Sequence, residues 1–241
     1  MNRSASAPNP VALTLAGAAL LADPSGALWW PAERTLIVAD LHLEKGAAFA
    51  RRGALLPPYD TRATLAALAA LIERLAPGRV VALGDSFHDA AGADHIGRDD
   101  ALELARLVAR QDWIWVAGNH DPAPGPALGG RLVADAFSLG PLTLRHEAER
   151  GAVTGELSGH FHPKAGISIH GRRLICRCFV ADESRIILPA FGSYAGGLDV
   201  RDPAISDLFP RGFAAYLAGK TRLTMVPFAR AVPAEPALPL A

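Results

Sequence analysis

Thr35–His42 reads TLIVADLH, an apolar run cut off by an aspartate and a histidine two residues apart. A run with no polar alternation reads as a strand buried on both faces, as in a parallel sheet. Asp40 and His42 follow its carboxyl end and point to one side of an extended segment. Packing gives no reason for either residue. The same figure recurs downstream. Arg79–Leu83 (RVVAL) runs into Gly84-Asp85, and Trp113–Ala117 into Gly118-Asn119-His120-Asp121. Leu142–Leu144 precedes Arg145-His146, and Val153–Leu157 precedes Ser158-Gly159-His160-Phe161-His162. In open α/β sheets, sites form beyond the carboxyl ends of strands, so these ends are expected to converge on one crevice.

Helical patterns separate the early strands. Asp60–Ala76 carries Leu65, Leu68, Ile72 and Leu75 on one face, with Asp60 as its cap and Pro77-Gly78 as its stop. Asp100–Arg110 is expected as a second helix, opened by a capping box between Asp100 and Glu103. Upstream of Thr35, short strands are expected at Val11–Leu15, Ala18–Leu21 and Ala27–Trp30, with a turn at Asp23–Gly26. Beyond Leu132 the pattern is mostly short strands: Leu142–Arg145, Val153–Leu157, Ile167–Ile169, Leu174–Val180, Ile186–Leu188 and Arg222–Val226. An alternating α/β half followed by a β-rich half implies two packed sheets with helices outside. One domain is expected over 11–230, between a disordered leader (1–10) and a flexible tail (231–241).

The polar set has a definite chemistry. Imidazole and carboxylate together suit manganese, iron or zinc, and the lack of cysteine argues against a closed structural zinc site. Asp40, His42, Asp85, Asn119, His146, His160 and His162 exceed what one ion needs. Two ions sharing Asp85 as a bridge use them all.

The series D-x-H, G-D-x-x-H, G-N-H-D, H and G-H-x-H resembles the signature of calcineurin-like metallophosphoesterases. Four flanking stretches are similar to one branch, the ligase-associated DNA damage response endonucleases called PdeM: Ala39–Gly46 (ADLHLEKG), Arg52–Thr61 (RGALLPPYDT), Gly159–Lys164 (GHFHPK) and Leu188–Val200 (LPAFGSYAGGLDV). The resemblance implies an α/β fold of two mixed β-sheets sandwiched between helices, in α-β-β-α layers. It implies one metal on Asp40, His42 and His162, another on Asn119, His146 and His160, and Asp85 between them. His120 would be the general acid, oriented by Asp121. Two divalent ions, manganese before iron or zinc, would clamp the phosphoryl oxygens, and a bridging hydroxide would attack phosphorus in line. DNA would be the substrate, and a DNA ligase and a helicase of the same repair system the partners.

Composition bounds the alternatives. Half the residues are apolar, enough for a substantial core, and Lys+Arg equals Asp+Glu at 24 each. The neutral balance offers no global grip on nucleic acid and leans towards a second reading, a phosphodiesterase of nucleotides or cyclic diesters. A third reading, a non-catalytic scaffold in a repair complex, sits badly with a complete ligand set. Arg51, Arg52 and Lys164 are candidates for contact with substrate phosphate, and His88 for a place beside the site. Cys176 and Cys178, one residue apart on a strand, are poorly placed to bridge each other and are expected reduced. Val11–Ala22 follows Arg3 like a signal-peptide core but is too short to span a bilayer. An uncleaved, cytoplasmic chain without membrane association is the expectation.

Overall fold

A computed structural model describes residues 7–53, 57, 59–122, 128–170 and 172–233. Parts of the expected leader (1–6) and tail (234–241), and part of the Arg52–Thr61 stretch, lie outside the described residues. The first sheet has seven strands in sequence order: β1 (Val11–Leu15), β2 (Ala18–Ala22), β3 (Leu28–Trp30), β4 (Thr35–Val38), β5 (Arg79–Leu83), β6 (Asp112–Val116) and β7 (Arg131–Val133). The first four pair antiparallel, and β4 through β7 pair parallel. The second sheet contains β8 (Ala136–Leu139), β9 (Leu142–Arg145), β10 (Glu156–Ser158), β12 (Arg172–Ala181), β13 (Arg185–Ile187), β14 (Ala214–Ala218) and β15 (Leu223–Pro227). Its order is β15-β14-β12-β13-β10-β9-β8, and β11 (Lys164–Ile169) pairs with β12 alone.

Alternation along β4 shows how the layers form. Ile37 and Ala39 enter a core shared with Leu144, Leu157, Phe179 and Ile186 of the second sheet. Leu36 and Val38 face the other way, into a cluster with Leu65, Leu68, Leu104 and Leu107. Those leucines belong to two helices, α2 (Asp60–Leu75) and α4 (Arg98–Ala109), which cover the outer face of the first sheet. Between β4 and α4 lie two shorter helices, α1 (Lys45–Arg51) and α3 (Gly92–His95). The outer face of the second sheet packs Val180, Ile187 and Leu217 against Ile205, Leu208 and Phe209. That flank is thin, since its helix α5 (Pro203–Ser206) has one turn. The fold is α/β, two mixed sheets flanked by helices.

Local expectations shift in several places, among them the strand expected at Val153–Leu157, which forms only over Glu156–Ser158. The capping box does not form, because α4 starts at Arg98 after Gly97 with no side-chain cap. Asp100 instead accepts from Arg62 Nε at 2.9 Å, and Glu103 is held by Arg106. Asp60 lies inside α2, whose N-cap is Tyr59, and its carboxylate accepts from the Gly46 N–H at 3.0 Å. The expected leader and tail both contribute pairing: Asn9 N–H donates to the Thr221 carbonyl, and Val232 pairs with Gly166. Cys176 and Cys178 are free thiols on one side of β12. Among the described residues no helix is long and apolar enough to cross a membrane.

Candidate metal centre

Five loops meet where the carboxyl ends of β4, β5, β6, β9 and β10 approach each other. The loops after β4 and β5 run side by side: His42 N–H donates to the Asp85 carbonyl and Leu43 N–H to that of Ser86, both at 2.9 Å. The second sheet is tied in through Gly159 N–H, which donates to the His146 carbonyl at 2.9 Å, and His160 N–H, which donates to Asp40 Oδ2 at 3.0 Å. Asp40, His42, Asp85, His160 and His162 all have positive φ, from 43° to 69°. Non-glycine residues rarely adopt that region, and aspartate and histidine tolerate it better than most. Two glycines permit the close approach. Gly84 has φ +72°, and a Cβ there would overlap the His146 ring. A Cβ on Gly159 would sit 2.6 Å from Asp40 Oδ2.

The side chains gather in two trios that include a carboxylate, and a third group of His42, His88 and His120 overlaps the first. Asp40, His42 and His162 each offer a ligand atom within 4.8 Å of the others, and so do Asp85, His146 and His160. In the first trio His42 Nε2 is 3.1 Å from His162 Nε2, and His162 Nε2 is 3.4 Å from Asp40 Oδ1. In the second, His160 Nδ1 is 3.1 Å from His146 Nε2, and Asn119 Oδ1 lies 2.9 Å from His146 Nε2 and 3.0 Å from His160 Nδ1. Asp85 Oδ2 lies between the trios, 3.5 Å from His146 Nε2 and 3.9 Å from His42 Nε2. His146 Nδ1 is 3.0 Å from the Leu83 carbonyl, which only accepts, so Nδ1 carries the hydrogen and Nε2 turns a lone pair to the site.

Electrostatics favour neutral imidazoles at His42 and His160. Burial, then the neighbouring charges of His162 and Lys45, lower His42 to about 2. Burial and His146 lower His160. Burial raises Asp121 to about 8, with the Asp85 charge adding to the rise. Paired nitrogen lone pairs 3.1 Å apart, beside carboxylates and an amide oxygen, fit divalent cations of the manganese, iron or zinc type. The residues present therefore suit the metals that the sequence pattern implies.

All nine expected site residues are at or beside the crevice. The expected relation between His120 and Asp121 is not what the structure has. His120 Nδ1 is 2.8 Å from the His88 carbonyl, so a backbone acceptor turns this ring, with Nε2 4.0 Å from Asp85 Oδ2. Asp121 points inward, and its Oδ2 accepts from the Phe87 N–H at 2.9 Å. Among the described residues no hydrogen bond joins its carboxylate to His120. His88 also stacks on His120 at 5.4 Å between centroids and stands edge-on to His42 at 5.7 Å. Its position three residues after Asp85 was the available signal. Arg51 is committed to Asp89 at 2.9 Å, and His95 and His170 are exposed away from the trios.

The calcineurin-like phosphoesterase family model matches residues 33–160. Among solved structures, the nuclease MPE of Pseudomonas putida is similar at 29% identity and a TM-score of 0.70, over 90% of this chain and 100% of that one. Yfce, a phosphoesterase from E. coli, aligns at 13% identity and a TM-score of 0.40, over 80% of this chain and 98% of that one. No curated protein sequence matches the chain.

Proposed function

The chain belongs to the calcineurin-like phosphoesterase family and is a metal-dependent phosphoesterase, and from that premise we propose that it is a DNA endonuclease using two divalent ions. The observation that carries the dinuclear reading is the pair of ligand trios with Asp85 Oδ2 between them. Asp40, His42 and His162 hold one ion; Asn119, His146 and His160 hold the other. When bound, the ions supply Lewis-acid charge to the phosphoryl oxygens and acidify water at the site. Manganese is the first candidate for a site of nitrogen and oxygen donors, with iron and zinc as alternatives.

The protein's own groups do the rest. His120, its Nδ1–H held by the His88 carbonyl, turns Nε2 towards the crevice. Protonated there, it donates to the departing alkoxide, which leaves poorly without a proton. Asp121 acts at one remove, holding the Phe87 amide and so the loop that carries Asp85 and His88. DNA as substrate draws support from the similarity to a nuclease, and a role in repair beside a ligase and a helicase from the flanking motifs. The free cysteines agree with a reducing, cytoplasmic setting. The zero net charge favours the second reading, hydrolysis of small nucleotide diesters.

The deciding experiment is manganese-dependent cleavage of circular single-stranded and supercoiled duplex DNA, with bis-p-nitrophenyl phosphate in parallel and Asp85→Ala as the control. Nicking by the wild type and not by the variant supports the endonuclease. Hydrolysis of the small diester alone moves the second reading ahead.

A further inference from the structure

Two clefts flank the metal centre, and their charges differ. On the His160 side, a cavity of about 540 Å³ is bordered by Glu147, Arg150 and Asp207, with Phe161 and Leu208 as apolar wall. On the His162 side, a cavity of about 450 Å³ contains Lys164 and Arg177 and no carboxylate. It adjoins a second cavity of about 420 Å³ through the shared residues Ser25, Ala67 and Arg177, and this one ends at Lys220. The one acid there, Asp23, is already paired with Arg74 at 2.6 Å. The chain has three lysines, Lys45, Lys164 and Lys220, so two of them lie on this path.

The sheet register sharpens the anomaly. Lys164 and Arg177 are direct cross-strand partners in the β11–β12 ladder. Like charges directly opposite each other destabilise a ladder. On its other side Lys164 is bridged to Asp199 through the backbone, whereas among the described residues the hydrogen-bond partners of the Arg177 guanidinium are all carbonyls. Arg177 donates to the carbonyls of Ser25, Ala190 and Phe191, which fix the guanidinium plane without bringing negative charge. The arrangement sets a fixed cation beside a lysine on the wall of the cavity that opens from His162.

We infer that Lys164, Arg177 and Lys220 form a track for the sugar–phosphate backbone of a polynucleotide strand, taking the phosphates that flank the scissile one on the His162 side. The inference rests on the nuclease reading and deepens it. A diester with a single phosphate has no flanking phosphates and gains nothing from the track, so the track explains how a chain of zero net charge holds a polyanion. The opposite cleft, with two acids to one arginine, does not favour a phosphate backbone.

The test is the salt dependence of kcat/KM on a short single-stranded oligothymidylate. Each phosphate contact on a single strand contributes a slope of about −0.7 in log–log form, so three contacts give about −2. Lys164→Gln/Lys220→Gln is expected to make the slope shallower by about 1.4, from two lost contacts. Wild type on bis-p-nitrophenyl phosphate is expected to show almost no slope. Should the double variant fold poorly, Lys220→Gln alone, in an exposed turn, is expected to remove about 0.7. Oligonucleotide cleavage with the same slope in wild type and variants removes the track and leaves the nuclease standing. Hydrolysis of the small diester with no oligonucleotide cleavage removes the nuclease reading, and the track with it.

Discussion

Gly84→Ala tests whether the two trios are held as the geometry implies. Gly84 has φ +72°, where a residue with a Cβ costs about 1–2 kcal/mol. The new methyl group would also overlap the imidazole of His146, which is buried and fixed by its hydrogen bond to Leu83. Forcing a carbon into a packed site costs about 1–3 kcal/mol. The two terms add to about 2–5 kcal/mol, and for a chain of this size each kcal/mol lowers Tm by roughly 2–4 °C. A drop of at least about 4 °C is therefore expected in a thermal melt.

The functional consequence is more specific. His146 leaves its place beside Asn119 and His160, so that site weakens first, because the atoms nearest the new methyl group all belong to His146 and none to Asp40, His42 or His162. Elemental analysis after loading with manganese should fall from two ions per chain towards one. If Gly84→Ala keeps two ions and melts within about 2 °C of wild type, the close packing of His146 on Gly84 is wrong, and so is the assignment that depends on it.

His120→Ala should keep both ions and lose at least about a hundredfold in kcat on unactivated diesters, since it removes a proton donor and no ligand. Full turnover would take His120 out of the mechanism. Asp121→Asn preserves the acceptor for Phe87 and, with His88 orienting the ring, should keep kcat within about tenfold; a loss of about a hundredfold or more would mean that Asp121 acts on His120 directly. Arg185→Met leaves Glu156 buried without its nearest cation and strips hydrogen bonds from the Glu149 and Gly151 carbonyls, a cost of about 3–5 kcal/mol. Burial already raises the Glu156 carboxyl in the folded chain. Its charged form is therefore the costly one above the folded pKa, and protonation relieves it below. The destabilisation should shrink as pH falls towards 5, and a pH-independent difference in melting temperature would refute this account.

Which features were readable follows from where their signals lie. Each candidate ligand stands directly after an apolar run, so local sequence exposes it, and β4 alone shows both faces of the first sheet through Leu36 and Ile37. Helix α1 has no such signal: it starts after Glu44 in a left-handed conformation without a side-chain cap. β14 is AAYLA, whose small alanines hide the period-two pattern that heavier residues show elsewhere. The orientation of His120 depends on a carbonyl 32 positions away, and main-chain groups leave no trace in residue identity. The pairing of Lys164 with Arg177 has no local signal, because only the β11–β12 register makes them neighbours.

The same register logic explains why the chemistry sits where the sheets meet. Five of the seven candidate ligands have left-handed backbones, and at about 1 kcal/mol or more each they store strain comparable to the lower end of a domain's net stability. Such conformations persist only where the surroundings over-determine them. Here they sit in loops that leave the ends of β4, β5 and β10, strands whose registers are fixed by a continuous core. Aspartate and histidine serve two purposes in these loops, since the residue types that bind metal are also among those that tolerate positive φ. The strand ends therefore select their ligands twice, by backbone shape and by donor atom. That double selection accounts for a motif so compact that D-x-H and G-H-x-H each place two donors within three residues.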